Sequence, residues 1–460
     1  MRTRVRLSLA LFVILLSFQN AFSQFPQRNT TQNIYIQREN QPNAAVFLPA
    51  PPDTSSVSYI DDFVQWQWGK SVRPTERGER ASAESASSTA EMARIFSEAL
   101  GFNISRSETP AIYNLMSRSY HTAEQASKNP KEKYMRIRPV IQYNERPSGR
   151  SDRLESLRTS GSYPSGHTTR GMAVALVLAE MAPEFQDTIL RRGFEYGESR
   201  IIVSAHYQSD VNAGYLCASA CVAAMHSVPD FVKDMQNARA EYNEKTGSKT
   251  GVVIGYPNGR RILSTPVDTA SNRFIGDVMQ YMAAKAERVT GRGSQALEDA
   301  DLSANALMAN FSKPLGITLD ARQTPAMAAL IYECRNALQR NALDSGNAVK
   351  FRKRPYIQLG DAPFVESSDA MVSSYPSVQS EIGWGIALIL TEIAPQKADD
   401  ILTYGYRIGQ SGMITGQYWA TDISAARIMA SGMIARLHND AAFMKLLSNA
   451  KAEYQSRKQF

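Results

Sequence analysis

The feature that most constrains the fold is an internal repeat of short sequences at a nearly constant displacement. Tyr163-Pro164-Ser165 returns 212 residues later as Tyr375-Pro376-Ser377, and this displacement holds without a gap to the pair Glu241-Tyr242 and Glu453-Tyr454. We therefore predict a tandem duplication of a unit of roughly 190 residues. Upstream, the recurrences lie 215 or 216 residues apart: Thr109-Pro110-Ala111 with Thr324-Pro325-Ala326, and Arg138-Pro139 with Arg354-Pro355.

The apolar residues within each unit recur at the three- and four-residue spacing of amphipathic helices. Alternating runs typical of strands are scarce. The fold class is therefore predicted to be all-α, with two tandem helical-bundle domains. The predicted helices of the first unit span residues 90–100, 111–127, 168–181, 185–201 and 207–226.

The N-terminal residues carry the features of a secretory signal. Three arginines precede a short apolar run from Leu7 to Leu16, and small residues follow before Gln24. An uncleaved membrane anchor is the alternative, although the run is short for a bilayer. We predict a periplasmic or secreted protein with no membrane insertion after cleavage. The predicted segments are a signal peptide 1–23, a polar leader 24–47, a first unit 48–244, a linker 245–263 and a second unit 264–460.

Charge and cysteine content exclude some classes of protein. The formal net charge is +7, and three of the arginines lie in the signal segment. The remaining positive charge is mild and dispersed, so we expect no nucleic acid partner. The three cysteines form no zinc-like set with histidines, and we predict small buried residues at Cys217, Cys221 and Cys334.

The stretch 162–169, with the sequence SYPSGHTT, passes from a polar turn into an apolar run. A serine at the cap and a glycine just inside it leave backbone N–H groups pointing out of a helix N-terminus, where the helix dipole favours an anion. His167 in the first turn would lie beside that anion as a proton donor. Taken alone, the motif fits a plain capped helix equally well.

Two further clusters supply cations and a second histidine. Lys131 is followed by Arg138-Pro139, and Ser199-Arg200 is followed by His206 and Asp210. Three cations and a helix N-terminus can surround the oxygens of one phosphoryl group and stabilise the charge that develops on it.

His206 and Asp210 are four residues apart at the predicted start of a helix, so we expect the carboxylate to accept the imidazole N–H. The other ring nitrogen could then attack phosphorus and form a phosphohistidine. Alone, His206 fits a hydrogen-bonded core residue, and Lys131 and Arg138 fit a solvated face. The joint occurrence of the three clusters in this order favours an active site. The histidines assigned to structure are His121, His226 and His438.

The three clusters resemble the three-part signature of the type 2 phosphatidic acid phosphatase superfamily, which also includes the vanadium haloperoxidases. Within it, the first unit is similar to the bacterial class A non-specific acid phosphatases. The resemblance covers nearly all of residues 48–243 and, more weakly, 264–460. It is carried by YMRIRP at 134–139, GSYPSGH at 161–167, ALVLAE at 175–180 and QSDV at 208–211.

The resemblance implies an all-helical, secreted or periplasmic phosphomonoesterase of broad specificity that is active at mildly acidic pH, needs no metal or other cofactor and is often dimeric. It also allows phosphotransferase activity. Carried over to the matching positions, it makes His206 the nucleophile, His167 the general acid and Asp210 the residue that orients His206. The implied phosphate ligands are Lys131, Arg138, Ser165, Gly166 and Arg200.

The second unit lacks the matching chemistry. Gln379 stands for His167, Gly412 for Arg200 and Tyr418 for His206. Without nucleophile and acid the route is closed, so we predict a degenerate, inactive domain. The favoured interpretation is a scaffold that pairs with the first unit within one chain, as a pseudo-dimer, or supports a homo-oligomer. The alternative is ligand binding around Arg354 and Ser377.

Two departures from the family affect the expected substrate. Arg170 stands where the family usually has an apolar residue, so an extra cation is expected near the pocket, and Asn212 replaces a common acid. Two other functions are kept as alternatives. One is a vanadate-dependent haloperoxidase-like enzyme, which uses the same anion cage, and the other is a non-catalytic phospho-ligand binding protein.

Overall fold

The computed structural model describes residues 33–146, 154–247, 255–365 and 371–457. The predicted signal peptide lies outside these residues. The described chain is helical throughout and contains no strand, which confirms the all-α prediction. We call residues 35–247 the first half and residues 255–457 the second half.

The first half contains twelve α-helices within its described residues. Each predicted helix is found, with its ends within two residues of the prediction. The helices are α1 (Ala44–Phe47), α2 (Tyr59–Val72), α3 (Glu76–Ala83), α4 (Thr89–Leu100), α5 (Pro110–Ala126), α6 (Lys128–Tyr134), α7 (Pro139–Gln142), α8 (Leu154–Thr159), α9 (Gly166–Met181), α10 (Gln186–Ile202), α11 (Gln208–Met225) and α12 (Pro229–Thr246).

The described second half has counterparts of most of these helices in the same order. The final four, for example, begin and end 212 residues after α9 to α12, apart from a shift of up to one residue at the last. They are preceded by α13 (Gly259–Ile262), α14 (Asn272–Ala286), α15 (Gly291–Glu298), α16 (Ala304–Leu315), α17 (Pro325–Ala348) and α18 (Pro355–Leu359), and are α19 (Val378–Ile393), α20 (Ala398–Ile414), α21 (Ala420–Leu437) and α22 (Ala441–Arg457).

Helix α9 lies at the centre of the first half because nearly every residue from Met172 to Met181 is apolar and buried. It packs against α5, α10 and α11. The approach of α10 is close: a Cβ atom at Gly171 would lie 2.4 Å from the Tyr196 ring. Glycine is therefore required there, and the tight packing fixes the N-terminus of α9 relative to α10.

The two predicted domains are not confirmed as separate bodies, because Tyr35–Phe460 forms one compact unit. Helices α9 and α11 of the first half pack against α19 and α21 of the second, and a single apolar core runs through both. Trp384 illustrates the contact, because its buried indole N–H donates to Ser219 Oγ at 3.2 Å. The three cysteines lie buried and free, as predicted.

The predictions of an extended leader and of a linker reaching residue 263 are partly wrong. Phe47 is buried in the core, and Tyr35 donates from its hydroxyl to Asp234 at 2.8 Å. At the other segment, Ile262 is fully buried and the N–H of Gly259 donates to Ser345 Oγ at 3.2 Å. The few apolar side chains in these polar stretches cover core surface, and this burial fixes the backbone.

Among the described residues, no single helix is long and apolar enough to cross a membrane. The consecutive helices α11 and α12 pass such a test only jointly, by length and composition, and they meet at an angle of 96°.

A buried cluster of histidines and carboxylates joins the halves. The rings of His226 and His438 stack with centroids 3.9 Å apart. His226 Nε2 lies 2.9 Å from Glu180, and His438 Nε2 lies 2.9 Å from Glu392. His438 Nδ1 also donates to the Ile434 carbonyl at 2.8 Å. Two further cations neutralise the carboxylates: Arg239 at Glu180 and Lys451 at Glu392. The cluster is best described as a hydrogen-bonded ionic contact, since each imidazole already faces a carboxylate.

This contact should make stability depend on pH through His438. Burial opposes protonation, but Glu392 and Glu180 outweigh it and raise the pKa of His438 to about 9. The stabilisation is therefore fully present below about pH 6.5 and lost as the pH rises through 9. We expect the free energy of unfolding in urea to fall by about 1–3 kcal/mol between pH 6.5 and 9.5. His438→Gln should remove most of this slope, and an identical slope in both proteins would contradict the assignment.

Candidate active site

The predicted clusters meet at a cavity of about 510 Å³ in the first half. It lies between α5, α6, the N-terminus of α9 and the segment that precedes α11. Five of the eight predicted site residues line it: Lys131, Arg138, Gly166, His167 and His206.

The floor of the cavity is the N-terminus of α9. Ser165 caps this helix, because its Oγ accepts from the Thr168 N–H at 3.3 Å, and the helix begins at Gly166. The first-turn N–H groups have no intrahelical acceptor, and the helix dipole adds positive potential. A Cβ at Gly166 would lie 3.5 Å from Lys131 Cε and 4.0 Å from Arg170 Nη1. Two cations therefore approach the point where the helix N-terminus would receive an anion.

His206 lies just before α11, with Tyr207 as the cap, so the prediction that it belongs to the helix is wrong. Its ring is buried, and Nε2 lies 2.9 Å from Arg138 Nη1. A guanidinium can only donate, so Nε2 accepts and the ring proton of the neutral imidazole is on Nδ1. Burial and the Arg138 cation hold the pKa of His206 well below its ordinary value. The result is a neutral imidazole with a lone pair on Nε2.

Ser162 connects His206 to Asp210, a role that sequence reasoning missed. The distance from His206 Nδ1 to Asp210 Oδ2 is 3.6 Å, longer than a hydrogen bond. The Ser162 hydroxyl donates to Asp210 Oδ2 at 2.5 Å, and its Oγ lies 3.3 Å from His206 Nδ1. Asp210 also accepts from the Tyr207 N–H at 2.9 Å. The carboxylate therefore orients the imidazole mainly through the serine. A signal was available in the sequence, since Ser374 holds the equivalent place in the second half.

Arg136 keeps Asp210 ionised. Its Nη1 donates to Asp210 Oδ1 at 2.7 Å and its Nη2 donates to Asp62 at 2.7 Å. Burial opposes ionisation, but the Arg136 guanidinium holds the pKa of Asp210 well below its usual range. The second half keeps this network, with Arg352 between Asp277 and Asp422. Because it persists where His206 is replaced, the network also supports the fold.

Lys131 and Arg138 are held by backbone carbonyls. Lys131 Nζ donates to Gly161 O at 2.8 Å, and Arg138 Nη1 donates to Ala205 O at 2.9 Å. Burial, followed by the Arg138 charge, lowers the pKa of Lys131 well below its usual value, and burial lowers the pKa of Arg138 to about 10. Two cations held at such a cost in free energy favour an anionic ligand.

Ser165 and Arg200 lie behind the cavity rather than in its lining. The Ser165 hydroxyl is used as the helix cap, and its N–H donates to Asp210 O at 2.9 Å. Arg200 is buried and donates to Ala81 O at 3.1 Å. Its charge nevertheless follows burial as the next cause that lowers the pKa of His167. The two residues therefore support the site from outside the lining.

The equivalent region of the second half is filled by side chains. The Gln379 amide donates to Asp299 O and Ile408 O at 3.1 and 3.0 Å. A Cβ at Gly412 would lie 2.8 Å from the Tyr418 ring. Tyr418 is itself buried, and Arg354 lies 5.1 Å from its ring centroid. Gln379 and Tyr418 thus occupy space next to the position that holds Arg200 in the first half.

Known proteins share this arrangement of residues. Residues 116–233 match the PAP2 superfamily. The chain is 40% identical over 228 residues to a non-specific acid phosphatase of Providencia stuartii, which covers 48% of this chain and 92% of that protein. It is 35% identical over 228 residues to a non-specific acid phosphatase of Salmonella typhimurium, covering 48% and 89%, respectively. An acid phosphatase of Zymomonas mobilis is 35% identical over 196 residues, covering 43% and 74%. The chain therefore belongs to the PAP2 superfamily, as a non-specific acid phosphatase.

Proposed function

We propose that this acid phosphatase is exported and hydrolyses phosphomonoesters of broad range through a phosphohistidine on His206. The proposal depends chiefly on one observation: His206 Nε2 is an unprotonated acceptor 2.9 Å from Arg138 in a cavity lined by cations. Export is supported by the signal-like sequence of residues 1–23. Phosphotransferase activity would follow if an alcohol replaced water in the second step.

In the first step, the Nε2 lone pair of His206 attacks phosphorus and the bond to the leaving oxygen breaks. His167 donates a proton to that oxygen. The Nδ1 proton of His206 stays on the ring, hydrogen-bonded through Ser162 toward Asp210, whose negative charge stabilises the cationic phosphohistidine. In the second step, water attacks phosphorus, His167 accepts a proton from the water, and the P–N bond breaks to release phosphate.

The proton on His167 must be coupled to substrate binding. Burial, and then the Arg200 and Arg170 charges, hold the pKa of His167 well below its ordinary value. A phosphate dianion among these cations would reverse the local potential and raise that pKa. Substrate would thus bind together with a proton, which fits activity at mildly acidic pH.

We also propose that the second half is a scaffold without catalysis of its own. Gln379 and Tyr418 supply neither a nucleophile nor an acid, and their side chains fill space beside Gly412. The extensive packing of α19 and α21 on the first half supports a structural role. On this hypothesis, the contact that relatives could make between subunits is made within one chain.

The acid role of His167 can be tested with substrates that differ in their leaving group. We expect His167→Ala to lower kcat by about 10²–10⁴-fold for an alkyl phosphate, whose leaving alkoxide needs a proton. The loss should be at least tenfold smaller for an activated aryl phosphate, which leaves as a stabilised phenolate. Steady-state release of phosphate from both substrates gives the comparison. Equal losses would remove His167 from the acid role, and no release of phosphate by the unaltered protein would overturn the proposed function.

A further inference from the structure

Arg170 is the cavity residue that the proposed mechanism leaves without a task. It lies on α9, three residues after His167 and four after Gly166, and its side chain is 13% exposed. Its Nη1 donates to Glu124 at 2.9 Å, and its guanidinium carbon lies 5.3 Å from the centroid of the Tyr120 ring. Its Nε is buried without a hydrogen-bond partner in the described part of the chain.

The position of Arg170 relative to the two histidines indicates which part of a substrate it would contact. Residues three apart lie on the same face of a helix, so Arg170 lies beside His167. Its charge is among those that lower the pKa of His167, while Arg138 is the first charge that does so for His206. The nucleophile is therefore on the Arg138 side of the cavity. Arg170 is on the side of the proposed acid, where the leaving group must lie.

The charges that line the outer cavity leave room for more negative charge than one phosphate carries. Glu124 pairs with Arg170, and Glu132 pairs with Arg38. Beyond these two pairs, the lining holds three cations: Lys128, Lys131 and Arg138. Glu124 is itself 38% exposed and is shared with His121 at 3.7 Å, so it does not enclose the guanidinium. The equivalent position of the second half, which lacks the nucleophile, is the apolar Ile382.

We propose that Arg170 binds a second phosphoryl group on the leaving side, so that the enzyme also hydrolyses phosphoric anhydrides such as inorganic pyrophosphate and nucleoside diphosphates. This inference rests on the proposed function, since it uses the same nucleophile. The Nη1 atom lies 4.0 Å from the position of a Gly166 Cβ, at the floor of the anion site. A phosphoryl group bonded to the reacting phosphate through a bridging oxygen would therefore come within reach of the guanidinium.

The anhydride reaction balances with the groups already present. His206 Nε2 forms the P–N bond, and the bond from phosphorus to the bridging oxygen breaks, so that the second phosphate departs with the electron pair. Arg170 stabilises the negative charge that develops on it. Water then attacks the phosphohistidine and releases the first phosphate. One water molecule is consumed, and pyrophosphate yields two phosphates.

The test compares pyrophosphate with an aryl phosphate whose leaving group carries no second charge. In Arg170→Met, the ratio of kcat/KM for pyrophosphate to kcat/KM for the aryl phosphate should fall by about 10- to 100-fold, the worth of one or two charged hydrogen bonds. Arg170→Lys, which keeps a charge but loses the forked donors, should fall between the variant and the unaltered protein. Turnover of the aryl phosphate shows in each case that the variant is folded.

A surface arginine provides the matched control. Arg94 on α4 pairs with Glu91 and Glu98 away from the cavity, so Arg94→Met should leave both constants unchanged. An unchanged substrate ratio in Arg170→Met would overturn the inference. Failure of the unaltered protein to hydrolyse pyrophosphate while it hydrolyses the aryl phosphate would overturn it too, and would leave the proposed function intact. Failure on both substrates would instead remove the proposed function.

Discussion

Replacement of His206 by alanine should lower kcat by more than about a hundredfold, while the protein remains folded. The reason is that Nε2 would no longer be available to form the bond to phosphorus, and the rest of the site offers no group in its place. The fold should persist because the ring is in a polar contact with Arg138 and Ser162 rather than in the apolar core. Phosphate release measures the first effect, and circular dichroism with thermal melting measures the second.

The second half supplies a matched control for this substitution. Tyr418 occupies the position equivalent to His206 and is also buried, so Tyr418→Ala removes a similar ring from the other half. Turnover should be retained in that variant. Rapid quenching of the unaltered enzyme should also trap protein-bound phosphate that is missing from His206→Ala. If His206→Ala kept more than a hundredth of the original rate, a covalent histidine would be ruled out.

Ending the chain after Thr246 should have the second large effect, on stability and assembly. Such a fragment keeps α9 and α11 but loses the helices that pack against them, and the apolar faces involved would become exposed. We expect it either to associate with itself or to lose at least about 10 °C in melting temperature, which corresponds to several kcal/mol for a chain of this size. Size-exclusion chromatography and thermal melting distinguish these outcomes.

Adding the missing half provides the control for truncation. A second fragment that begins near residue 255 should bind the first and restore its melting temperature, if the apolar contact is the cause of the loss. A first fragment that is monomeric, fully active and as heat-resistant as the whole chain would contradict the scaffold role. A ligand-binding role for the second half around Arg354 and Ser377 would then become the better hypothesis.

Much of the fold could be predicted because its main determinants are local. Apolar spacing defined helices such as α9 and α11, and the Ser165 cap with Gly166 defined where α9 begins. Long-range packing could not be predicted in this way. The contact between His226 and His438 crosses the two halves, and neither residue lies in a motif that points to the other.

The site was predicted in its residue types more accurately than in its geometry. A spacing of four suggested that His206 and Asp210 share a helix face, but Tyr207 caps the helix and leaves His206 outside it. The gap that results is bridged by Ser162, which is 44 residues distant from His206 in sequence. Spacing also could not distinguish Arg138, which reaches the cavity, from Arg200, which lies behind it.

The contact between Trp384 and Ser219 has a consequence for how such a chain can evolve. In a dimer of identical subunits each substitution appears on both sides of the interface, so a residue must suit two environments at once. Within a single chain the two sides are encoded separately. The positions related to Trp384 and Ser219 by the repeat are Met172 and Ser431, so the indole has no mirror image in the other half. A fused pair can therefore specialise one partner for chemistry and the other for fit, through mutations that no symmetric dimer could accept singly.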